Sequence, residues 1–458
     1  MDEAAIQAQL TAARAAFDEG RTTPLAWRQE QLRALDAMLG ENSEVIERAV
    51  QADLGRHVLD AYVTEVMENQ TEVRYLLKHL EKFLADKPVK SLPGLAPSKA
   101  WIRREPLGTV LVIGPWNFPV HLLAMPLAGA LAAGNSVVLK PSELAPESSR
   151  VIAELVPRYL DPDAVQVVEG GVDETTYLLQ QRWDHIFYTG STRVGRIVME
   201  AAAKHLTPVT LELGGKCPVW LDETFPIKRA ARWLAWGRFS NAGQTCVAPD
   251  FVMTPRGTGE KLARALEKEV RRVYGADVKA SPDYPRIVNA EHAERLQGLL
   301  GDGRVAFGGD VDVAGRYVSP TVLLDVPVDS QVMSEEIFGP ILPIVEVDDH
   351  RDAIRLIRSR EKPLALYAFT EDDNVQQDLL EQTSSGGVVF GAVMLHLGVP
   401  SLPFGGVGAS GMGAYHGEHS VRTFSHERAV LHKGKGPDLA RMARAPFTPF
   451  KDKAMRRG

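Results

Sequence analysis

Two cysteines occur in the 458 residues, Cys217 and Cys246. Cys246 sits in Asn241-Ala242-Gly243-Gln244-Thr245-Cys246-Val247-Ala248-Pro249, a small and polar turn with no neighbouring Cys or His to suggest a metal. A thiol there is a nucleophile if a helix terminus or backbone amides stabilise its thiolate, and otherwise an inert buried side chain. Cys217 poses the same choice with less around it. Glu212 lies in Val209-Thr210-Leu211-Glu212-Leu213-Gly214-Gly215-Lys216, an acid inside an apolar strand that ends at a glycine pair. Such a carboxylate is costly unless it is paired or works with a raised pKa as a general base; outward-facing alternation is the other reading. Asn117, in Pro115-Trp116-Asn117-Phe118-Pro119, offers an amide that either donates to a developing oxyanion or builds a turn.

Two glycine patterns compete as phosphate seats. Gly406-Val407-Gly408-Ala409-Ser410-Gly411 satisfies the dinucleotide fingerprint in letters, but no buried strand precedes it and no βα unit follows. It reads instead as part of a loop over 404–417 that approaches a ligand or moves. The segment Ile186-Phe187-Tyr188-Thr189-Gly190-Ser191-Thr192-Arg193-Val194-Gly195 does feed a strand into a helix, whose amides and dipole suit an anion or simply form a capped terminus. Lys140 and Glu143, in Leu139-Lys140-Pro141-Ser142-Glu143, stand at the end of another strand, as ribose contacts or as a solvated pair.

These residues need elements to carry them. The first 86 positions predict amphipathic helices over 4–19, 24–39 with Thr23 as cap, 43–53 and 62–84. After an irregular Pro/Lys/Ser/Gly segment and an exposed strand over 100–105, short apolar strands at 109–113, 136–139, 165–168 and 185–188 alternate with helices at 122–133, 146–155 and 194–204. That alternation indicates a parallel sheet covered on both faces. A second α/β stretch follows, with helices over 229–239 and 259–273 and strands near 219–221, 341–345 and 387–390. The run 106–139 has no charged residue and the length of a membrane span, yet Pro115, Pro119 and Pro126 break it, so a strand, turn, buried helix and strand are expected.

Composition narrows the class. At about 150 residues per domain the chain suggests about three lobes, and 45% apolar with 24% charged residues is ordinary for a globular protein. The net charge of −7 disfavours nucleic acid and anionic membranes as partners. Two thiols make no disulfide framework, which favours a reducing compartment, and no signal peptide is read at the acidic start. Asn69-Gln70-Thr71 is then a chance sequon.

Taken in order, seven segments resemble the aldehyde dehydrogenase superfamily, specifically its shorter class 3 type, the fatty, aromatic and coniferyl aldehyde dehydrogenases. They are Pro115-Trp116-Asn117-Phe118-Pro119, Lys140-Pro141-Ser142-Glu143, Tyr188-Thr189-Gly190-Ser191-Thr192, Leu211-Glu212-Leu213-Gly214-Gly215-Lys216, Gly243-Gln244-Thr245-Cys246, Glu335-Glu336-Ile337-Phe338-Gly339-Pro340 and Pro403-Phe404-Gly405-Gly406-Val407-Gly408. Phe118 stands where class 3 enzymes commonly have Tyr, Gly391-Ala392 near where they have Asn-Asp, and Cys217 in place of a small residue, a change read as passive packing.

The resemblance implies an α/β, aldehyde dehydrogenase-like fold: a Rossmann-type NAD(P)-binding domain over 1–85 and 105–211, a second α/β catalytic domain over 212–423, a small β oligomerisation arm over 86–104 and 424–440, and a flexible basic tail over 441–458. It implies NAD(P)-dependent oxidation of an aliphatic or aromatic aldehyde to the acid. Cys246 is the expected nucleophile, Asn117 with the Cys246 N–H the oxyanion site, and Glu212 the base that activates water. Trp116, Lys140, Glu143, Gly190, Ser191, Gly195, Leu213, Glu336 and Phe338 are the expected cofactor contacts, with Glu336 also a candidate base. The rivals are a relative that passes the thioester to coenzyme A, a non-catalytic homologue and a cysteine hydrolase. The cofactor is NAD or NADP, since Glu143 repels a 2′-phosphate that Lys140 attracts. No metal is expected, nor a membrane anchor at the chain end, and a cytoplasmic homodimer is implied.

Overall fold

The charge-free run folds as strand Thr109–Ile113, an irregular turn, helix His121–Ala133 and strand Ser136–Lys140, with both strands wholly buried. Apart from His121 the helix is buried on every side, as a segment apolar all round requires. This is a computed structural model that describes residues 2–92, 95–436 and 438–456. Met1 and Pro437, Pro93 and Gly94 in the expected arm, and Arg457 and Gly458 in the expected tail lie outside the described residues.

Six strands form the first sheet, in the order Gly411–Met412, Val209–Leu213, His185–Gly190, Thr109–Ile113, Ser136–Lys140, Val165–Val167; all are parallel but the first. Strand order reverses beside Thr109–Ile113, so the turns after it and after His185–Gly190 flank a crevice at the strands' carboxyl ends. Seven strands form the second sheet, Arg304–Phe307, Thr321–Leu324, Ile341–Val347, Phe251–Pro255, Pro218–Leu221, Ala365–Phe369 and Gly387–Phe390, with only the first antiparallel. A third sheet pairs Lys87–Val89 and Ser425–Lys433 on either side of Ser98–Pro106.

Several expectations need correction. Residues 411–423, assigned to the second domain, return to the first sheet: Gly411–Met412 pairs with Val209–Leu213, and helix Gly417–Thr423 packs on His121–Ala133. The expected boundary between 211 and 212 also falls inside one strand. Thr23 does not cap the second helix, which begins at Leu25 with Pro24 in the cap position and no side-chain bond. The helix expected over 62–84 starts earlier, as Val58–Ala61, and passes through a π-helical turn, Tyr62–Met67, before Glu68–Leu84. The tail carries a 3-10 turn, Leu439–Ala443, and a short exposed helix, Pro449–Met455. The 404–417 loop is packed down rather than free, since a Cβ at Gly411 would meet the Leu211 carbonyl oxygen at 2.0 Å.

The π-helical turn has a structural use. It aims Glu65 into the interior, where Oε1 accepts from Arg56 Nη1 at 2.6 Å and Oε2 accepts from the amides of Val120 and His121 at 3.0 and 2.8 Å. The carboxylate thus satisfies orphan donors at the start of the buried helix, where no side chain of the helix itself caps. Arg56 also lies over the Phe118 ring, 4.7 Å from its centroid. Removing one partner of such a fully buried pair strands the other. We therefore expect Glu65→Ala to lower the unfolding free energy by about 3–5 kcal/mol, read as a fall in the urea midpoint at constant slope. A loss below about 1 kcal/mol would give the pair no structural weight.

Candidate active site

The Cys246 turn is wound tightly from its first residue. Asn241, Ala242 and Gly243 have φ of 46°, 49° and 73°, three consecutive left-handed residues of which only the last is suited to it. Hydrogen bonds hold them there. Asn117 Nδ2 donates to the Gln244 carbonyl at 3.0 Å, and Asn241 Nδ2 donates to the carbonyls of Asn117 and Gln244 at 3.0 and 3.1 Å. The Gln244 side chain donates to the Asn241 and Arg286 carbonyls and accepts from Val288 N. Gly243 can have no side chain, because a Cβ would lie 2.2 Å from the Gly339 carbonyl oxygen.

Cys246 itself is half-buried, and burial pushes its thiol up to about 12, with the charges of Glu336 and Glu212 adding to the shift and its own and Val247's amides opposing it. Cys217 is more than packing: its thiol donates to the Cys246 carbonyl at 3.4 Å and accepts from Ala365 N at 3.3 Å. Tyr367 Oη donates to the Val247 carbonyl at 2.6 Å. The two peptide units that follow Cys246 are thereby fixed from the second sheet.

Glu212 is buried in Val209–Leu213, and neither of its carboxylate oxygens has a partner. Burial therefore raises its pKa well above the usual carboxylate range. The glycine pair that follows makes room for a second acid. A Cβ at Gly214 would lie 2.1 Å from Glu336 Oε2, so only glycine lets the Glu336 carboxylate cross the strand end. Glu336 Oε1 is unpartnered, and burial followed by the nearby Asp250 charge lifts its pKa to about 8 against the pull of the Gly215 amide. Asp250 in turn pairs with Lys216 and with Arg238, 3.1 Å away, and accepts from Ile337 N at 3.2 Å. Lys216 Nζ donates to the carbonyls of Val332 and Glu335, so this buried ion cluster sets the backbone that carries Glu336.

Two cavities of about 200 Å³ each meet at Cys246. One occupies the crevice predicted by the strand order and is lined by Trp116, Asn117, Gly190, Ser191, Glu212, Leu213, Glu336 and Phe338, eight of the residues singled out from sequence. Ser191 caps helix Thr192–Ala203, its hydroxyl accepting from Val194 N. Phe338 and Trp116 meet edge to face at 5.4 Å. Lys140, Glu143 and Gly195 are not lining residues. Lys140 is buried and bonds the Pro141 carbonyl and Glu143, whose side chain is half exposed. Gly195 serves packing, since a Cβ there would meet Leu213 Cδ2 at 2.8 Å. A dinucleotide suits this crevice: Thr189 Oγ1 and Glu336 Oε1 are buried polar atoms with no partner, which ribose hydroxyls and polar ring substituents would satisfy.

The other cavity is mostly apolar, walled by Phe118, Leu122, Trp236, Met394, Phe404 and Tyr415, with Asn241 and Thr245 at the thiol. Of this wall, sequence reasoning connected Phe118 with the substrate pocket and missed the rest; it also missed His292, which lines the crevice and packs on Trp116 at 5.5 Å. The bracing roles of Asn241 and Gln244 were quoted only as letters of a motif; their polar types in an otherwise small turn were the available signal. Among the described residues no group of three His, Cys, Asp or Glu side chains could hold a metal ion. A thiol between an apolar cavity and a crevice with two high-pKa carboxyls can form and hydrolyse acyl thioesters.

The comparisons agree with that chemistry. The aldehyde dehydrogenase family model matches residues 1–430. Aldehyde dehydrogenase family 3 member A2 from Mus musculus is 48% identical over 447 residues, covering 97% of this chain and 92% of the relative. The dimeric NADP-preferring aldehyde dehydrogenase of Canis lupus familiaris is 48% identical, covering 92% of each chain. A substrate-bound structure of Staphylococcus aureus AldH superposes with a TM-score of 0.94 at 41% identity, over 100% of this chain and 99% of that one. The chain belongs to the aldehyde dehydrogenase family, near its class 3 members, and is an NAD(P)-dependent enzyme that oxidises an aldehyde to an acid through a cysteine.

Proposed function

We propose that this enzyme oxidises aliphatic or aromatic aldehydes, with Cys246 as nucleophile and Glu212 as the base that hydrolyses the acyl-enzyme. The observation that carries the reading is the position of Cys246 where the apolar cavity meets the crevice holding Glu212. With its thiol pushed up to about 12, Cys246 needs a proton acceptor, and Glu212, high in pKa and unpartnered, is a fitting one. The sulfur adds to the aldehyde carbon, the carbonyl π bond opens, and the oxyanion is held by the Cys246 N–H and the Asn117 N–H that does not reach Gln244. NAD or NADP, when bound, supplies the acceptor for the hydride that leaves this carbon. A thioester remains on Cys246. Once Glu212 has returned its proton to solvent, it takes another from water; hydroxide adds to the thioester, the C–S bond breaks and the acid leaves. Trp116, Gly190, Ser191, Leu213, Phe338 and Glu336 would hold the nicotinamide half of the cofactor, and Lys140 with Glu143 the adenosine ribose.

We assign it as a homodimer working in the cytoplasm. Ser425–Lys433 is an outer strand of the three-stranded arm with one edge unpaired among the described residues, which suits pairing across a dimer, and relatives carry the word dimeric in their names. Both cysteines are free. Among the described residues no helix is long and apolar enough to cross a membrane.

Cys246→Ala should remove the absorbance of reduced cofactor with every aldehyde tried, while cofactor binding, read by tryptophan quenching, persists. Retained turnover in that variant would end the thioester reading. Glu212→Gln should slow both the first turnover of reduced cofactor and the steady state, the latter by about 10²–10⁴-fold; a full steady rate would remove Glu212 from both proton transfers. Because both carboxyls work deprotonated and both pKa values are raised, kcat should climb with pH over a limb lying well above 4.5. If that limb survives Glu212→Gln and disappears in Glu336→Gln, near pH 8, then Glu336 is the base.

A further inference from the structure

The apolar cavity has one charged wall. Asp60, Thr64 and Glu68 recur every four residues across Val58–Ala61, the π-helical turn and the start of Glu68–Leu84, and all three line the space that ends at Cys246. Two of them are engaged: Arg56 Nε donates to Asp60 at 2.7 Å, and Thr64 Oγ1 donates to the Asp60 carbonyl and accepts from Arg56. The Glu68 carboxylate makes no hydrogen bond or ion pair with any described residue. No Lys or Arg lines the cavity. The guanidinium behind the wall, Arg56, is fully buried and shared between Glu65 and Asp60, so the wall as a whole is negative.

We propose that Glu68 is a specificity-determining residue of the aldehyde channel, which takes aldehydes whose far end is neutral or cationic and rejects those that end in a carboxylate. The inference rests on the reading that this cavity holds the aldehyde. A tail carboxylate approaching Glu68 would be desolvated beside an unneutralised like charge, and a tail ammonium would find the counter-ion that the wall lacks. At an effective dielectric of about 20, the interaction at a separation of about 8 Å is ample to change relative rates about tenfold.

The other titratable groups around Glu68 do not supply this discrimination. His121, on the buried helix, and His416, beside Tyr415, are held neutral, their pKa values lowered by burial to about 4 and about 3. Asp60 and Glu65 are paired with Arg56, the Tyr415 phenol is raised far from neutrality, and Glu72, one turn along, accepts from Gly417 N and does not line the cavity. Burial, with the charges of Glu65 and Asp60, raises Glu68 to about 7. Its charge is therefore lost below pH 7 and gained above it.

The test uses three aldehydes of equal length, ending in methyl, carboxylate or trimethylammonium. In parallel, Cys246 is alkylated by a bromoalkanoate and a bromoalkyl trimethylammonium of matched length, the sulfur displacing bromide without any cofactor. In wild type the ammonium-to-carboxylate ratio of kcat/KM, and of alkylation rates, should exceed one and rise as pH is taken from 6 to 8. Glu68→Gln should collapse both ratios about tenfold and remove their pH dependence, and Glu68→Asp should restore them in part. Ratios unmoved by Glu68→Gln, or a wild type that prefers the carboxylate, would overturn the proposal. Should Glu68→Gln not fold, the pH series decides when read in wild type and in Glu72→Gln, since burial raises Glu72 to about 7 as well: Cys246 ionisation cancels in each ratio, and a pH dependence lost in Glu72→Gln would overturn the proposal. No aldehyde turnover together with a shifted alkylation ratio would sink the proposed function and leave the channel's charge selectivity standing.

Discussion

Backbone strain ahead of Cys246 is the constraint on which the rest of the site depends. Asn241 and Ala242 carry a Cβ in the left-handed region, at a cost of order 1–3 kcal/mol each, and they are followed directly by a glycine in the same region. Such a run persists only where its surroundings over-determine it. Here the determination comes from outside the second sheet. The carbonyl of Asn117 holds Asn241 and the amide of Asn117 holds the Gln244 carbonyl, so a turn hung from the first sheet's strand Thr109–Ile113 braces the nucleophile's loop. The brace itself hangs on Glu65, whose carboxylate fixes the amides of Val120 and His121 just beyond. The reactive turn is thus tied through two loops to the N-terminal helices.

Electrostatics follows from this geometry. Held between two sheets, the ionisable groups of the site resist charging: Cys246, Glu212 and Glu336 are all shifted toward their neutral forms, with burial the largest cause in each. Local cations relieve the resistance only in part, the charges of Arg238 and Lys216 pulling the Glu336 pKa down against burial and Asp250. Both cations are paired with Asp250, which accepts from Ile337 N and so also positions the backbone of Glu336. A site of this kind keeps three proton-holding groups near neutrality until ligands change their surroundings, which suits a cycle in which a thiol must lose a proton, a carboxyl must carry one away and another must be drawn from water.

How much of this was legible in the sequence depends on the range of the interaction. Cys246, Glu212 and Asn117 announced themselves because each is a polar or reactive side chain in a short segment rich in apolar, small or glycine neighbours, and local spacing carries that signal; Glu336, preceded by another glutamate, was reached only through the family resemblance. The strands were legible for the same reason, their near-continuous apolar runs being short and bounded. The return of 411–423 to the first sheet was not, because Gly411–Met412 is two residues long and is a strand only by virtue of its partner. Thr23 failed as a cap because capping is decided by how the chain enters the helix, and Pro24 takes that position. Glu65 and Glu68 lie three residues apart in one amphipathic stretch; the π-helical turn that carries Glu65 ends just before Glu68, one side chain goes to the interior and the other to the channel, and nothing in their types foretells it.

The two cavities give the site a polarity that the sheets alone do not. Each is walled by residues from both halves of the chain: Trp116 and Glu212 face Phe338 and Glu336 in one, and Phe118 and His121 face Trp236 and Met394 in the other. Closing either by a hinge between the sheets would break the Asn117, Asn241 and Gln244 bonds that hold the strained turn. Large relative motion of the two sheets is therefore expensive in the place where the chemistry needs order. Movement is cheaper in elements that are not part of that web, such as the Glu336 side chain lying across Gly214, whose Oε1 has no partner to lose. The arrangement favours a rigid nucleophile, with ligands and mobile carboxyls coming to it from two sides.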